Sequence, residues 1–277
     1  MQEIKTSECI AFQDNPFKVR DDEGMEMLVQ SIQDNGVLIP VVVRPTKEDK
    51  YEVISGHRRI HACRRAGIET IPALVRDMDR DSAIVFMVDS NIQREGLLPS
   101  ERAFAYRMKV EALRHQGKSS VQPGQKTSRG AVAEASGKSE TQIQRYIRLT
   151  YLEKSLLNLV DEGRIALTPA VELSYLSQQE QRDLLETIES EDRTPSLSQA
   201  IRMRKMSAAG WLDMREIFKI MTEAKGNQQE FIKLPSEKLG NYIGKLQTPK
   251  QKEDFILKAV AFYTRHLERQ RANRDAR

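Results

Sequence analysis

The sequence predicts an α+β protein: a small α/β domain, then a purely helical domain, then a mainly helical C-terminal segment. Three observations carry that expectation. β-Branched strand-like runs fall within the first hundred residues, amphipathic helical spacing takes over from Pro99-Ser100, and residues 130–149 have the spacing of two short helices folded about Gly137. A chain of 277 residues with 6% aromatic and 30% charged residues suits several lean modules better than one large core. The expected boundaries are residues 1–98, 99–195 and 196–277.

Residues 22–35 place Met25, Leu28, Val29 and Ile32 on one helical stripe that ends at Asn35-Gly36. A β-branched run over 37–44, a turn over 47–50 and a second strand over 51–54 follow. A short helix over 57–66 stops at Gly67, residues 70–76 form a third strand, and 81–93 return to helix. In the helical half, Ala103, Tyr106, Val110 and Leu113 share one face. Residues 116–128 are polar and contain Pro123-Gly124, the composition of a mobile loop. Further helices are expected over 153–162, 170–176 and 178–190, with joints at Thr194-Pro195 and at residues 207–210. Thr248-Pro249 launches a last helix whose Phe255, Ile256, Ala259, Phe262 and Tyr263 require a partner, which points to a homodimer.

Charge is uneven. Lys and Arg outnumber Asp and Glu by 10 to 4 over residues 100–150 and by 9 to 4 over 244–277, so an anionic polymer meets these regions first. Neither a twenty-residue apolar run nor a charged-then-apolar leader opens the chain, which predicts a cytoplasmic protein with no membrane contact. Cys9 and Cys63 are too few and too far apart for a disulfide framework, and Cys63 fits a core position.

The pair of helices around Gly137 fits a helix-turn-helix. Val132 and the small Ala133 face inward, Gly137 supplies a left-handed turn, Ser139 caps the second helix, and Ile143, Tyr146 and Ile147 bury it. Lys138, Ser139, Thr141, Gln144, Arg145 and Arg148 are the candidate DNA-binding residues: Gln144 and Arg145 for base edges, Lys138 and Arg148 for phosphates. An ordinary helical hairpin with a solvated polar face fits the same spacing. Gly137-Lys138-Ser139 is not a phosphate-binding loop, because Val132 occupies the position of its first glycine.

Ser55-Gly56-His57-Arg58-Arg59 stands where a strand meets a helix start, a place where free N–H groups and two arginines suit an anion. A solvated arginine pair is the alternative. His57 and His61 lie one turn apart but lack a third ligand, which argues against zinc.

With these boxes in order, the chain resembles the ParB partition proteins, in a version similar to those of Gram-positive mobile elements. The resemblance runs through Asn15-Pro16-Phe17, residues 31–36, Pro40-Val41-Val42-Val43-Arg44, Gly56-His57-Arg58-Arg59 and Asn91-Ile92-Gln93-Arg94-Glu95, and on through the helix-turn-helix to Leu176. It implies a ParB/sulfiredoxin-like N-terminal fold that binds CTP with Mg2+, a helix-turn-helix domain that binds double-stranded DNA, a homodimer that closes as a clamp, nucleoid association and a ParA-type ATPase partner. Carried over, Gly36 and Pro40 shape the base pocket, Gly56, Arg58 and Arg59 hold the triphosphate, and Asn91, Gln93 and Arg94 complete the site, with Asn91 as metal ligand. The family commonly has glutamate where this chain has His57 and Ser90. Slow or absent CTP hydrolysis follows, since serine neither holds a metal nor orients water as a carboxylate does.

Two other functions draw on the same residues. One is a helix-turn-helix transcriptional repressor that never binds nucleotide. The other is an enzyme, either sulfiredoxin-like or a nuclease. Gly56 stands where the first would need a reactive cysteine, and the sequence holds no tight carboxylate cluster for the second.

Overall fold

The computed structural model describes residues 1–117, 127–223 and 248–275. It divides into two compact units, Met1–Glu223 and Ala224–Arg277.

The first unit opens with a five-stranded mixed sheet built from β1 (Gln2–Lys5), β2 (Cys9–Ala11), β3 (Val41–Pro45), β4 (Tyr51–Ser55) and β5 (Thr70–Val75), in the order β1-β5-β3-β4-β2. β1 runs antiparallel to β5 and β4 antiparallel to β3, while β5 is parallel to β3 and β2 to β4. Alternation along β4 divides the core. Val53 faces a cluster with α1 (Glu23–Asn35) and α2 (His57–Arg65), whereas Ile54 faces a second cluster with α3 (Arg80–Asn91).

That second cluster does not stop at the domain boundary. Met87 and Val88 of α3 pack with Ala105, Tyr106 and Val110 of α4 (Pro99–His115), and with Val132 and Ala133 of α5 (Ser128–Ser136) and Ile143 of α6 (Glu140–Arg148). A further helical cluster joins α7 (Lys154–Asp161), α8 (Leu167–Leu173), α9 (Gln178–Glu191), α10 (Leu197–Ala208) and α11 (Met214–Thr222). The Ser100 amide donates to Asp161 Oδ1 at 2.9 Å, tying the start of α4 to the end of α7.

Strands and helices fall close to their expected positions, with two differences. The edge strands β1 and β2 were not expected, being only four and three residues long. Also, α10 and α11 bury Ala200, Met203, Ile217, Ile220 and Met221 in the same core as Leu156 and Leu173, so the first unit runs past the boundary expected at residue 195. Within the polar stretch 116–128, residues 118–126, including Pro123-Gly124, lie outside the described residues. In the second unit, α12 (Pro249–Asp275) exposes Phe255, Leu257, Val260, Phe262 and Tyr263. No helix among the described residues is long and apolar enough to cross a membrane.

Candidate nucleotide cleft and nucleic-acid interface

The cleft is built around the passage from β4 into α2. Gly56 takes φ 104° there, and a Cβ on it would lie 2.6 Å from Val41 Cγ1, so glycine is required both by backbone conformation and by the closeness of β3. No side chain caps α2. Its first-turn N–H groups therefore remain available to an anion.

A cavity of about 330 Å³ opens over this turn. Ser55, Gly56, His57, Arg58 and Arg59 line one side, Ser90, Asn91 and Arg94 the other, and Asn15, Phe17, Lys18, Val19 and Leu28 complete it. Arg58 donates to Asp22 Oδ1 at 3.2 Å, and that bond holds the Asp22 carboxyl below the ordinary carboxylate range. Arg59 donates to the carbonyls of Ile39 and Pro40, at 2.7 Å for the latter, so it anchors the chain before β3 while adding charge to the cleft. Asn91 Nδ2 donates to the Met87 carbonyl at 2.8 Å and to Ser90 Oγ at 3.1 Å. Burial pulls the His57 imidazole down to about 4, and its Nε2 is buried without a hydrogen-bond partner.

Of the residues expected to form the nucleotide site, Gly56, Arg58, Arg59, Asn91 and Arg94 converge. Gly36, Pro40 and Gln93 do not line the cavity. Gly36 is the left-handed stop of α1 at φ 68°, Pro40 acts through its carbonyl on Arg59, and Gln93 is exposed beyond the end of α3. Lys18 and Leu28 line the cleft unforeseen. In the sequence Leu28 shows only as part of an apolar stripe, and Lys18 carries no pattern that marks it.

The helix-turn-helix forms as expected. Gly137 turns at φ 65°, Thr127 Oγ1 accepts from the Gly130 N–H, and Ser139 Oγ accepts from the Gln142 N–H. Ile143 is fully buried, and Tyr146 meets Tyr106 of α4 with ring centroids 5.7 Å apart. Ser139, Thr141 and Gln144 are exposed, and Lys138 is half-buried. Gln144 Oε1 accepts from Arg129 at 2.7 Å, and Arg145 Nη2 donates to Thr168 Oγ1 at 2.6 Å.

Arg148 is placed otherwise than expected. Its guanidinium donates to Ser174 Oγ and to the Ser174 carbonyl, and it stacks over Tyr151 and Tyr175. These partners fix the end of α6 to the chain after α8, so Arg148 commits Nε and Nη2 to holding that helix in position. Among the described residues no group of three or more His, Cys, Asp or Glu could hold a metal ion. His61 instead meets Asp21 at 2.8 Å.

Fold and site together define a helix-turn-helix protein with a cationic cleft in its N-terminal α/β domain. The chain belongs to the ParB family: the ParB N-terminal domain model matches residues 1–92 and the ParB HTH domain model residues 117–202. It is 34% identical over 168 residues to a probable chromosome-partitioning protein ParB of Pseudomonas putida, covering 61% of this chain and 54% of that one. It is 30% identical over 182 residues to a nucleoid occlusion protein of Listeria monocytogenes, covering 66% and 59%. The chain thus spans little more than half the length of these relatives. Among solved structures, a C-terminally truncated ParB from Caulobacter crescentus, complexed to the centromeric parS site, is 21% identical with a TM-score of 0.44, covering 81% of this chain and 100% of that one.

Proposed function

We propose that this protein is a sequence-specific DNA-binding ParB-type factor, acting in partition of a plasmid, mobile element or chromosome, whose N-terminal cleft takes CTP as the switch of a dimeric DNA clamp. One observation carries the reading: the cationic cleft over an uncapped helix start is bordered by the end of α3, and α3 packs in the same core as the recognition helix α6. Phosphates suit that cleft, since guanidinium groups and helix-start N–H groups both favour anions. On α6, Thr141, Gln144 and Arg145 are assigned to base edges, and Lys138 and Ser139 to the backbone of the duplex.

CTP turnover is slow in this reading, because Ser90 supplies no charge to orient a metal or a water. The resemblance assigns a magnesium ion to Asn91, which has only a neutral side-chain oxygen to offer it. The exposed apolar residues of α12 supply the dimer contact, the dimer resides on the nucleoid, and a ParA-type ATPase is the partner that the resemblance adds.

Calorimetric titration of the full chain with CTP, with and without a duplex obtained by binding selection, tests the switch. Binding of CTP that changes with the duplex is the expected result. DNA binding without any CTP binding in magnesium buffer would replace this reading with a nucleotide-independent repressor.

A further inference from the structure

Charge in the N-terminal cleft is all of one sign. Lys18, Arg58, Arg59 and Arg94 line it, and none of its lining residues is Asp or Glu. Proteins that hold magnesium on a nucleotide usually grip it through one or two carboxylates, the phosphates and water supplying the rest. His57 and Ser90 line the cleft as neutral side chains, and Asn91 has spent its amide nitrogen on Met87 and Ser90. Only neutral side-chain oxygens, those of Asn15, Ser55, Ser90 and Asn91, remain for an ion. The carboxylate beside the cleft, Asp22, already accepts from Arg58 and from the Met25 N–H as the cap of α1. These residues do not fit a divalent ion gripped by the protein.

They fit something else. A metal-free triphosphate carries more negative charge than its magnesium complex, so a cleft holding only cations attracts the bare form more strongly, whereas a carboxylate-bearing cleft repels it. His57 lines the same cleft with a buried, unpartnered Nε2, a polar atom that needs a hydrogen-bond partner. We infer that this cleft neutralises the triphosphate with its own side chains and binds nucleotide without a divalent ion, an inference that rests on the nucleotide reading above.

The test is calorimetry of CTP binding to the full chain in excess EDTA and in excess magnesium. An affinity in EDTA equal to or tighter than that in magnesium is expected. Introducing two carboxylates, with His57→Glu and Ser90→Glu together, is expected to weaken metal-free binding at least about tenfold while binding in magnesium persists. Arg94→Gln, on an exposed side chain, supplies a second arm: it is expected to weaken binding more in EDTA than in magnesium. A loss of about tenfold or more in EDTA for the unaltered chain, with binding intact in magnesium, overturns the inference and leaves the nucleotide reading standing. Absence of binding in both buffers overturns the nucleotide reading and the inference with it.

Discussion

The guanidinium of Arg148 lies 3.9 Å from the ring centroid of Tyr175, and Arg204 lies 3.8 Å from the same ring. Arg148 also hydrogen-bonds to Ser174 Oγ and to the Ser174 carbonyl. Arg148→Ala therefore removes a stack and charged hydrogen bonds together, and is expected to lower stability by about 1–3 kcal/mol. Urea denaturation measures this. Gln144→Ala, on the exposed face, is expected to leave the denaturation midpoint unchanged and to weaken DNA binding.

Arg145→Ala separates base reading from phosphate holding. If Arg145 exchanges Thr168 for a base edge on binding, its loss costs about 1–3 kcal/mol at the preferred site and relaxes the ranking of sites. A binding selection with the variant reads both effects, and an unchanged ranking would remove Arg145 from the base-contacting set.

Gly56→Ala meets two obstacles at once, a φ of 104° and a 2.6 Å approach to Val41 Cγ1. The expected loss is about 1–3 kcal/mol or more, visible as a lower thermal midpoint. Gly36→Ala has the strained backbone but open space around it, so its cost should be the smaller.

Stability is also expected to depend on pH through His57. Its folded value of about 4 lies below the ordinary 6.5, so between those values the unfolded chain binds more protons than the folded one. The His57 contribution is therefore fully present above about pH 6.5 and is lost as pH falls toward 4, to a limit on the order of 3 kcal/mol. His57→Gln should flatten this part of the profile when denaturation midpoints are compared across that range.

Removing residues 245–277 is expected to yield monomers, since α12 leaves Phe262 74% and Tyr263 61% exposed. Light scattering reports the mass directly. An unchanged dimer would place the main interface before residue 245.

Much of this was legible in the sequence where one signal sufficed locally. Gly137 and Ser139 announce their turn and cap, and Val53 and Ile54 fall in the strand expected over 51–54. β1 escaped notice because four residues with only Ile4 buried make no pattern, and its pairing with β5 joins positions far apart in the chain. Leu28 was visible as a helix stripe, but a stripe does not reveal which residue meets a cleft. Arg148 shows the limit most plainly: helical spacing put it on the polar face, and only the positions of Tyr151, Ser174 and Tyr175 show that this part of the face is covered.

Helix α3 belongs to both ends of the first unit. Its last residue, Asn91, borders the cleft, and one turn earlier Met87 sits fully buried in the cluster that also holds Ile143 beneath the recognition helix. In the proposed reading, a ligand that reshapes the end of α3 also acts on the packing that supports α6. Any factor the cleft's ligand then imposed on affinity for DNA, DNA would return to the cleft's ligand, which would make the duplex an effector of the N-terminal domain.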